Sequence, residues 1–136
     1  MKQHQYEVTL KHVADADGNP STYREILQFN TANHDDIFKV LARLQQAELF
    51  DEHTTQSFAV GLKLFGEVML ENKKHPLFAE FFPQFVQFMQ KMKGSIKAQA
   101  LANASTQASA TESLTSRSHA TAMATQQNES LNNTAQ

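Results

Sequence analysis

The aromatic residues of this chain are confined to one part of it. All ten Phe and both Tyr lie between Tyr6 and Phe88, and the remainder contains no Phe, Tyr or Trp. From Ser95 to Gln136 the sequence is mostly Ala, Ser, Thr, Gln and Asn. Such a stretch has too little apolar surface to offset the entropy of ordering, about 1–2 kcal/mol per residue. We therefore predict a compact domain over residues 1–94 and a disordered low-complexity tail over residues 95–136.

The N-terminal part of the predicted domain has the pattern of a β-hairpin. Tyr6, Val8 and Leu10 alternate with polar residues, which is typical of a strand with one solvent-exposed face. Residues 15–20, with the sequence DADGNP, are rich in turn formers and include the Asp-Gly pair that is common in hairpins. A second strand is predicted over 23–31, and it pairs most simply with the first.

Three helices are predicted after the hairpin. Asn33 is expected to cap the first helix, and Asp51, Thr54 or Thr55 the second. The second helix is apolar except for a narrow polar stripe, so we expect a central helix that is buried on most sides. Gly61 and Gly66 each cost about 1 kcal/mol relative to Ala in its interior, which predicts close approach by another backbone. The stripe consists of Gln56, Lys63, Glu67 and Lys74.

The third predicted helix is rich in Phe and Met. It begins at Pro76, Pro83 kinks it or divides it in two, and Gly94 ends it. Its apolar residues cover an arc of about 120° on a helical wheel, which is typical of a face packed on a core. The predicted fold class is therefore α+β, with the element order β-β-α-α-α followed by the tail.

Charge and composition exclude several classes of protein. The net charge is −2 and there is no cysteine, so we expect neither a nucleic-acid partner nor disulfides or thiolate metal sites. The N-terminus lacks the apolar core of a signal peptide, and no apolar run approaches the roughly 20 residues that span a bilayer. We therefore expect a cytoplasmic protein without a membrane partner. No Gly-rich phosphate loop or nucleophile motif is present, so no cofactor is expected.

Two stretches of the sequence resemble those of a known family. They are NHDDIF, residues 33–38, and GLKLFGEVMLENKKHPLF, residues 61–78. Together with the opening KQHQYEVTL, they closely resemble a family of small bacterial proteins that is catalogued only as a domain of unknown function. The resemblance covers residues 1–94 and implies a compact α+β protein of the bacterial cytosol. It brings no known activity, so it assigns no role to any residue.

One candidate site lies at the start of the first predicted helix. His34 stands beside Asp35 and Asp36, and imidazole and carboxylate groups can bind a metal or exchange protons. The ordinary alternative is a helix start whose acidic residues meet the positive end of the helix dipole. No HExxH or similar helical pair is present, so the three residues are candidates and not a predicted metal centre.

A second candidate lies on the central helix. Lys63, Glu67 and Glu71 are spaced four apart, and a glutamate among apolar neighbours could act in acid–base chemistry. The alternative is a solvated stripe with i,i+4 pairing worth about 0.3–0.5 kcal/mol. Lys74 and His75 extend this surface at the end of the helix, where they could contact an anion or satisfy the helix dipole.

The predicted elements offer more apolar surface than one small core requires. The central helix is apolar round most of its circumference, and a two-stranded sheet leaves edges to pair. We therefore favour a non-enzymatic protein-interaction module that forms a homodimer or binds another protein. The alternative is a small-molecule or metal-binding protein that uses one of the two candidate sites. That alternative requires the charges around His34 and Glu67 to face a concave pocket.

Overall fold

The chain folds as a β-hairpin followed by helices, in a computed structural model that describes residues 2–132 and the side chains of residues 2–109. Strands β1 (His4–Leu10) and β2 (Leu27–Asn33) form a two-stranded antiparallel sheet. Within the described residues, four helices follow: α1 (Ile37–Ala47), α2 (Glu52–Glu71), α3 (Pro76–Ala79) and α4 (Phe82–Asn132). The predicted α+β class and the order of hairpin and helices are confirmed.

The hairpin turn has the chemistry that its sequence predicts. The Asp15 carboxylate accepts hydrogen bonds from the backbone N–H groups of Asp17 and Asn19. Gly18 adopts a φ of +86°, a left-handed conformation that glycine tolerates because it has no Cβ. The second strand begins at Leu27, later than predicted.

Helix α1 begins later than the sequence predicts. Its N-cap is Asp36, whose side chain accepts hydrogen bonds from the backbone N–H groups of Phe38 and Lys39. Asn33, the predicted cap, is instead the last residue of β2 and is fully buried. Both residue types suit an N-cap, so the local sequence alone does not decide between them.

The helix boundaries after α1 are a mixture of confirmed and corrected predictions. Asp51 caps α2. The helix predicted from Pro76 is interrupted between Ala79 and Phe82, just before Pro83, so that α3 and α4 replace one predicted helix. Gly94 does not end a helix as predicted, because α4 continues through it. A glycine stop needs a positive φ, which Gly94 does not adopt, and an interior glycine costs only about 1 kcal/mol.

The backbone of the predicted tail continues α4 as far as Asn132. The Nδ2 atom of Asn103 donates hydrogen bonds to the backbone oxygens of Gln46 (3.1 Å) and Ala47 (3.3 Å). The side chain of Asn103 thereby satisfies carbonyl groups at the end of α1, which have no partner within that helix. The side chains of 110–136 lie outside the described residues, so the division of domain from tail at residue 94 stays a prediction.

The core lies between α1, α2 and α4. The ring of Phe85 packs on Gly66, where a Cβ would lie 3.3 Å from the Cζ atom of Phe85. The close approach predicted for this glycine therefore exists, although a ring and not a backbone makes it. No helix in the described part of the chain is both long and apolar enough to cross a membrane. The buried apolar side chains are Ile37, Leu44, Ala47, Ala59, Met69 and Phe85.

Candidate functional site

The corner between β2 and α1 is built around the buried Asn33. Its Nδ2 donates to the backbone oxygen of Lys63 on α2 (2.9 Å), and its Oδ1 accepts from the backbone N–H of Asp35 (3.0 Å). The Tyr6 hydroxyl, from β1, accepts a hydrogen bond from the backbone N–H of Ile37 (2.9 Å). These contacts join the hairpin to both helices and fix the direction in which residues 34 and 35 project.

A continuous polar network connects this corner to α2. The Nζ of Lys63 donates to the Oδ2 of Asp35 at 2.5 Å, and the Nε2 of His34 lies 3.4 Å from the same oxygen. The Nδ1 of His34 lies 2.5 Å from the Oε2 of Glu67, and the Nε2 of Gln3 donates to the Oε1 of Glu67 at 2.9 Å. These side chains are called the polar network below: Gln3, His34, Asp35, Lys63 and Glu67.

Helix α2 turns its polar stripe toward this network. Lys63 and Glu67 are 6% and 7% exposed, so the prediction of a solvated stripe is wrong at these two positions. Charged side chains are buried only where partners compensate for lost water, and the corner after β2 supplies those partners. The expectation of a central helix buried on most sides therefore holds for one side of α2 and fails for the other.

The network brings together parts of both candidate sites. His34 and Asp35 come from the first candidate, and Lys63 and Glu67 come from the second. Asp36 takes no part, because its carboxylate caps α1. Side chains from two candidate sites that the sequence presents as alternatives are thus in contact with each other.

The other candidate residues lie outside the network. Glu71 and Lys74 are exposed, and the ring of His75 accepts a backbone N–H at the start of α3. Gln3 belongs to the network, and Asn33 holds the corner beside it through its hydrogen bonds. The sequence alone assigns neither residue to a site. Their partners are 64 and 30 residues away, so no local spacing could have identified them.

The network is well satisfied electrostatically. The hydrogen bond from Lys63 holds the pKa of Asp35 below its ordinary value of 3.8. Glu67 receives a hydrogen bond from Gln3 on one oxygen and contacts His34 with the other. Within the described side chains, no buried nitrogen or oxygen is without a hydrogen-bond partner. The arrangement is therefore one that stabilises the position of the hairpin on α2.

The ring of His34 is enclosed by the carboxylates of the network. Both ring nitrogens of His34 face carboxylates, those of Glu67 and Asp35, so neither is left for a substrate. In residues 2–109, no group of three or more His, Cys, Asp or Glu side chains is arranged to hold a metal ion. We therefore interpret the network as structural.

A cleft of about 440 Å³ opens beside the network, between α1, α2 and α4. Asp35 and Lys63 lie in its wall, whereas His34 and Glu67 do not line it. Only some of the candidate charges therefore face a concave surface.

The opposite side of α2 is apolar and exposed. Val60, Phe65 and Val68 are 39%, 46% and 52% exposed. Gly61 lies on the same side of the helix, and a Cβ added to it would meet nothing within 4 Å. The close approach predicted for Gly61 has no partner within the described chain. Together with Leu64, these residues are called the outer face of α2.

The fold and the network define a small α+β domain in which buried polar contacts attach a β-hairpin to a central helix. Residues 4–94 match DUF3861, a domain of unknown function, and the chain belongs to that family. The chain is similar to a protein of unknown function from Pectobacterium atrosepticum, whose crystal structure was determined at 2.20 Å resolution. The two are 38% identical, with a TM-score of 0.59, over 68% of this chain and 99% of that one. No curated protein matches the sequence. The predicted membership of a family of unknown function is thus confirmed.

Proposed function

We propose that this chain is a non-enzymatic protein-interaction module that acts as a homodimer, in which the outer faces of two α2 helices pack against each other. The observation that carries the proposal is the orientation of α2. Lys63 and Glu67 are buried, while Phe65 and Val68 are about half exposed. Soluble monomers rarely expose a contiguous apolar patch larger than roughly a few hundred Å², and burial stabilises an association by about 25 cal/mol per Å² of apolar area.

The composition of the outer face suits a second copy of the same chain. In a two-fold symmetric interface, each residue near the axis meets its own counterpart, so a charged residue there would face a like charge. The five residues of the outer face are uncharged, and Glu71, an exposed charge on the same side of α2, lies at the C-terminal end of the helix. Gly61 leaves an open space in this face, which would allow two helix backbones to approach closely.

Aromatic side chains extend this surface beyond α2. The ring centroid of Phe65 lies 6.2 Å from that of Phe78 and 6.4 Å from that of Phe81. Phe81 and Phe88 remain 42% and 46% exposed. The outer face runs from Val60 to Val68, about 13 Å along α2, so the aromatic side chains of α3 and α4 are needed to approach an interface of roughly 800 Å² per partner. Phe is among the residues in which protein interfaces are enriched.

A charge placed in the outer face tests the dimer. Val68→Glu would bring two carboxylates together across the two-fold axis, whereas Gln56→Glu adds the same charge to α2 outside the outer face. Sedimentation velocity and light scattering of the full chain over a concentration series measure the assembly. We expect dimers of the wild type and of Gln56→Glu, and monomers of Val68→Glu with unchanged circular dichroism. A wild-type chain that stays monomeric at its highest soluble concentration would overturn the proposal.

Substitution of Gly61 separates the stability of the fold from that of the assembly. A Cβ at this position meets nothing within 4 Å, so Gly61→Ala should stabilise the helix by about 1 kcal/mol. In the proposed dimer the same Cβ lies between two helices and weakens association. Gly94→Ala is the matched control, because it also lies in a helix with open space around it. Equal dissociation constants for the two variants would contradict a helix crossing at Gly61.

A further inference from the structure

We propose that the cleft between α1, α2 and α4 binds a small amphipathic anion, that is, an apolar body with one acidic headgroup. Its volume of about 440 Å³ falls within the range of roughly 300–1,000 Å³ that is typical of small-molecule sites. The cleft lies on the inner side of α2, away from the outer face, so this site is independent of the proposed dimer.

The cleft has apolar walls contributed by three helices. Val40 comes from α1, Leu62 from α2, and Met92 and Ile96 from α4. All four side chains are only half-buried, so they lack the neighbours that a packed core would give them. A methionine side chain is flexible and polarisable, and it adapts to ligands of different shapes. An apolar ligand could therefore be buried here without displacing the protein's own core.

Cationic side chains from two helices line the same cleft: Arg43 from α1, and Lys93 and Lys97 from α4. Among the ion pairs of the described side chains, none involves any of these three residues. Lys93 and Lys97 are four residues apart on one helix, so their like charges repel each other. All three side chains are exposed, and a bound anion would relieve this repulsion.

The acidic headgroup is expected near Arg43 and Lys97. Asp35, in the cleft wall, is already paired with Lys63, and Lys93 is close enough to lower the pKa of Asp35 further. The contact between Asn103 and the end of α1 aligns the two helices side by side. Lys93 interacts with Asp35, just before α1, and Asn103 contacts the end of α1, so the two helices run in the same direction here. Lys97 and Arg43 both lie between these two contacts and both line the cleft.

The test uses two probes that differ only in charge, 1-naphthylacetate and its neutral amide, 1-naphthylacetamide. Isothermal titration calorimetry with the full chain measures both affinities. We expect the anion to bind about tenfold more tightly than the amide, since two partly solvated charge contacts together are worth roughly that factor. Arg43→Gln/Lys97→Gln should remove the preference for the anion. Lys73→Gln/Lys74→Gln, which removes the same charge from an exposed segment, should keep it.

The location of the probe decides between the cleft and the outer face. Amide chemical-shift changes on binding are expected at Val40, Leu62 and Ile96, and not at Val68. The Val68→Glu variant should bind the anion as the wild type does, so a failure of the dimer proposal would leave this one standing. Equal affinities for the two probes, or shift changes centred on the outer face, would overturn the assignment of an anion site to the cleft.

Discussion

Replacing Asp35 by asparagine and Lys63 by methionine, one at a time, should lower the free energy of unfolding by unequal amounts. The two residues form one ion pair, but the side chain of Lys63 is 8% exposed and the side chain of Asp35 is 44% exposed. Removing the carboxylate leaves a buried ammonium group without a counter-ion. Removing the ammonium leaves a carboxylate that water can reach. We therefore predict that Asp35→Asn is the more destabilising change.

The structure sets the approximate size of each effect. Breaking a fully buried ion pair from one side costs about 3–5 kcal/mol, and access of water on the Asp35 side reduces this to about 2 kcal/mol for Asp35→Asn. Lys63→Met keeps the apolar stem of the side chain. The carboxylate that remains is hydrated and lies 3.4 Å from His34, so a loss of at most about 1 kcal/mol is expected.

Urea unfolding at neutral pH, followed by circular dichroism, measures both changes from the midpoint and the slope. Asp17→Asn is the control for the chemical change, because Asp17 is exposed in the hairpin turn. It should leave the unfolding free energy within about 0.5 kcal/mol of the wild type. A loss for Lys63→Met equal to or greater than that for Asp35→Asn would refute this prediction, because burial of the ammonium group would then not determine which substitution is more destabilising.

Two further predictions concern stability. The pKa of Asp35 is lowered chiefly by its hydrogen bond from Lys63, so its stabilisation is complete above the unfolded value of 3.8 and is lost as the pH falls through the folded value. Asp35→Asn should therefore reduce the acid-induced loss of stability below about pH 4, and an equal loss in both proteins, measured by urea unfolding in a series of buffers, would contradict this. Asn103→Ala removes a donor to the backbone oxygens of Gln46 and Ala47, so it should cost about 0.5–1.5 kcal/mol and speed amide exchange in the last turn of α1. Unchanged exchange there would show that this contact does not hold α4 on α1.

The parts of the fold that the sequence predicts are those governed by local physics. The alternation around Tyr6 predicts β1, the Asp-Gly pair predicts the turn, Asp51 caps α2, and Pro83 divides a helix. Each of these signals depends on residues within a few positions of one another. Where two local signals compete, as Asn33 and Asp36 do for the cap of α1, the sequence does not rank them, because a distant partner on α2 takes up Asn33.

The candidate site could be predicted only in pieces, for the same reason. Helical spacing shows that Lys63 and Glu67 share one side of α2, but it does not show what covers that side. Their partners reach them from Asp35, His34 and Gln3, between 28 and 64 residues away. When most of a helix is apolar, its polar stripe is expected to face solvent. Here the long-range contacts bury Lys63 and Glu67 instead.

The polar network also explains why the apolar side of α2 is not turned into the core. Rotating the helix to bury Phe65 and Val68 would carry Lys63 and Glu67 away from Asp35 and its neighbours. Burying two such apolar side chains is worth about 1.5–3 kcal/mol each. The rotation would expose Lys63 and Glu67 to water, but it would break the hydrogen bonds that Asp35 and Gln3 make with them, each worth about 1.5–3 kcal/mol, and leave the buried Asn33 side chain without its acceptor, so the gain is offset. The contacts that attach the hairpin therefore also fix the rotation of α2, and they keep its outer face directed toward solvent, where a second chain can reach it.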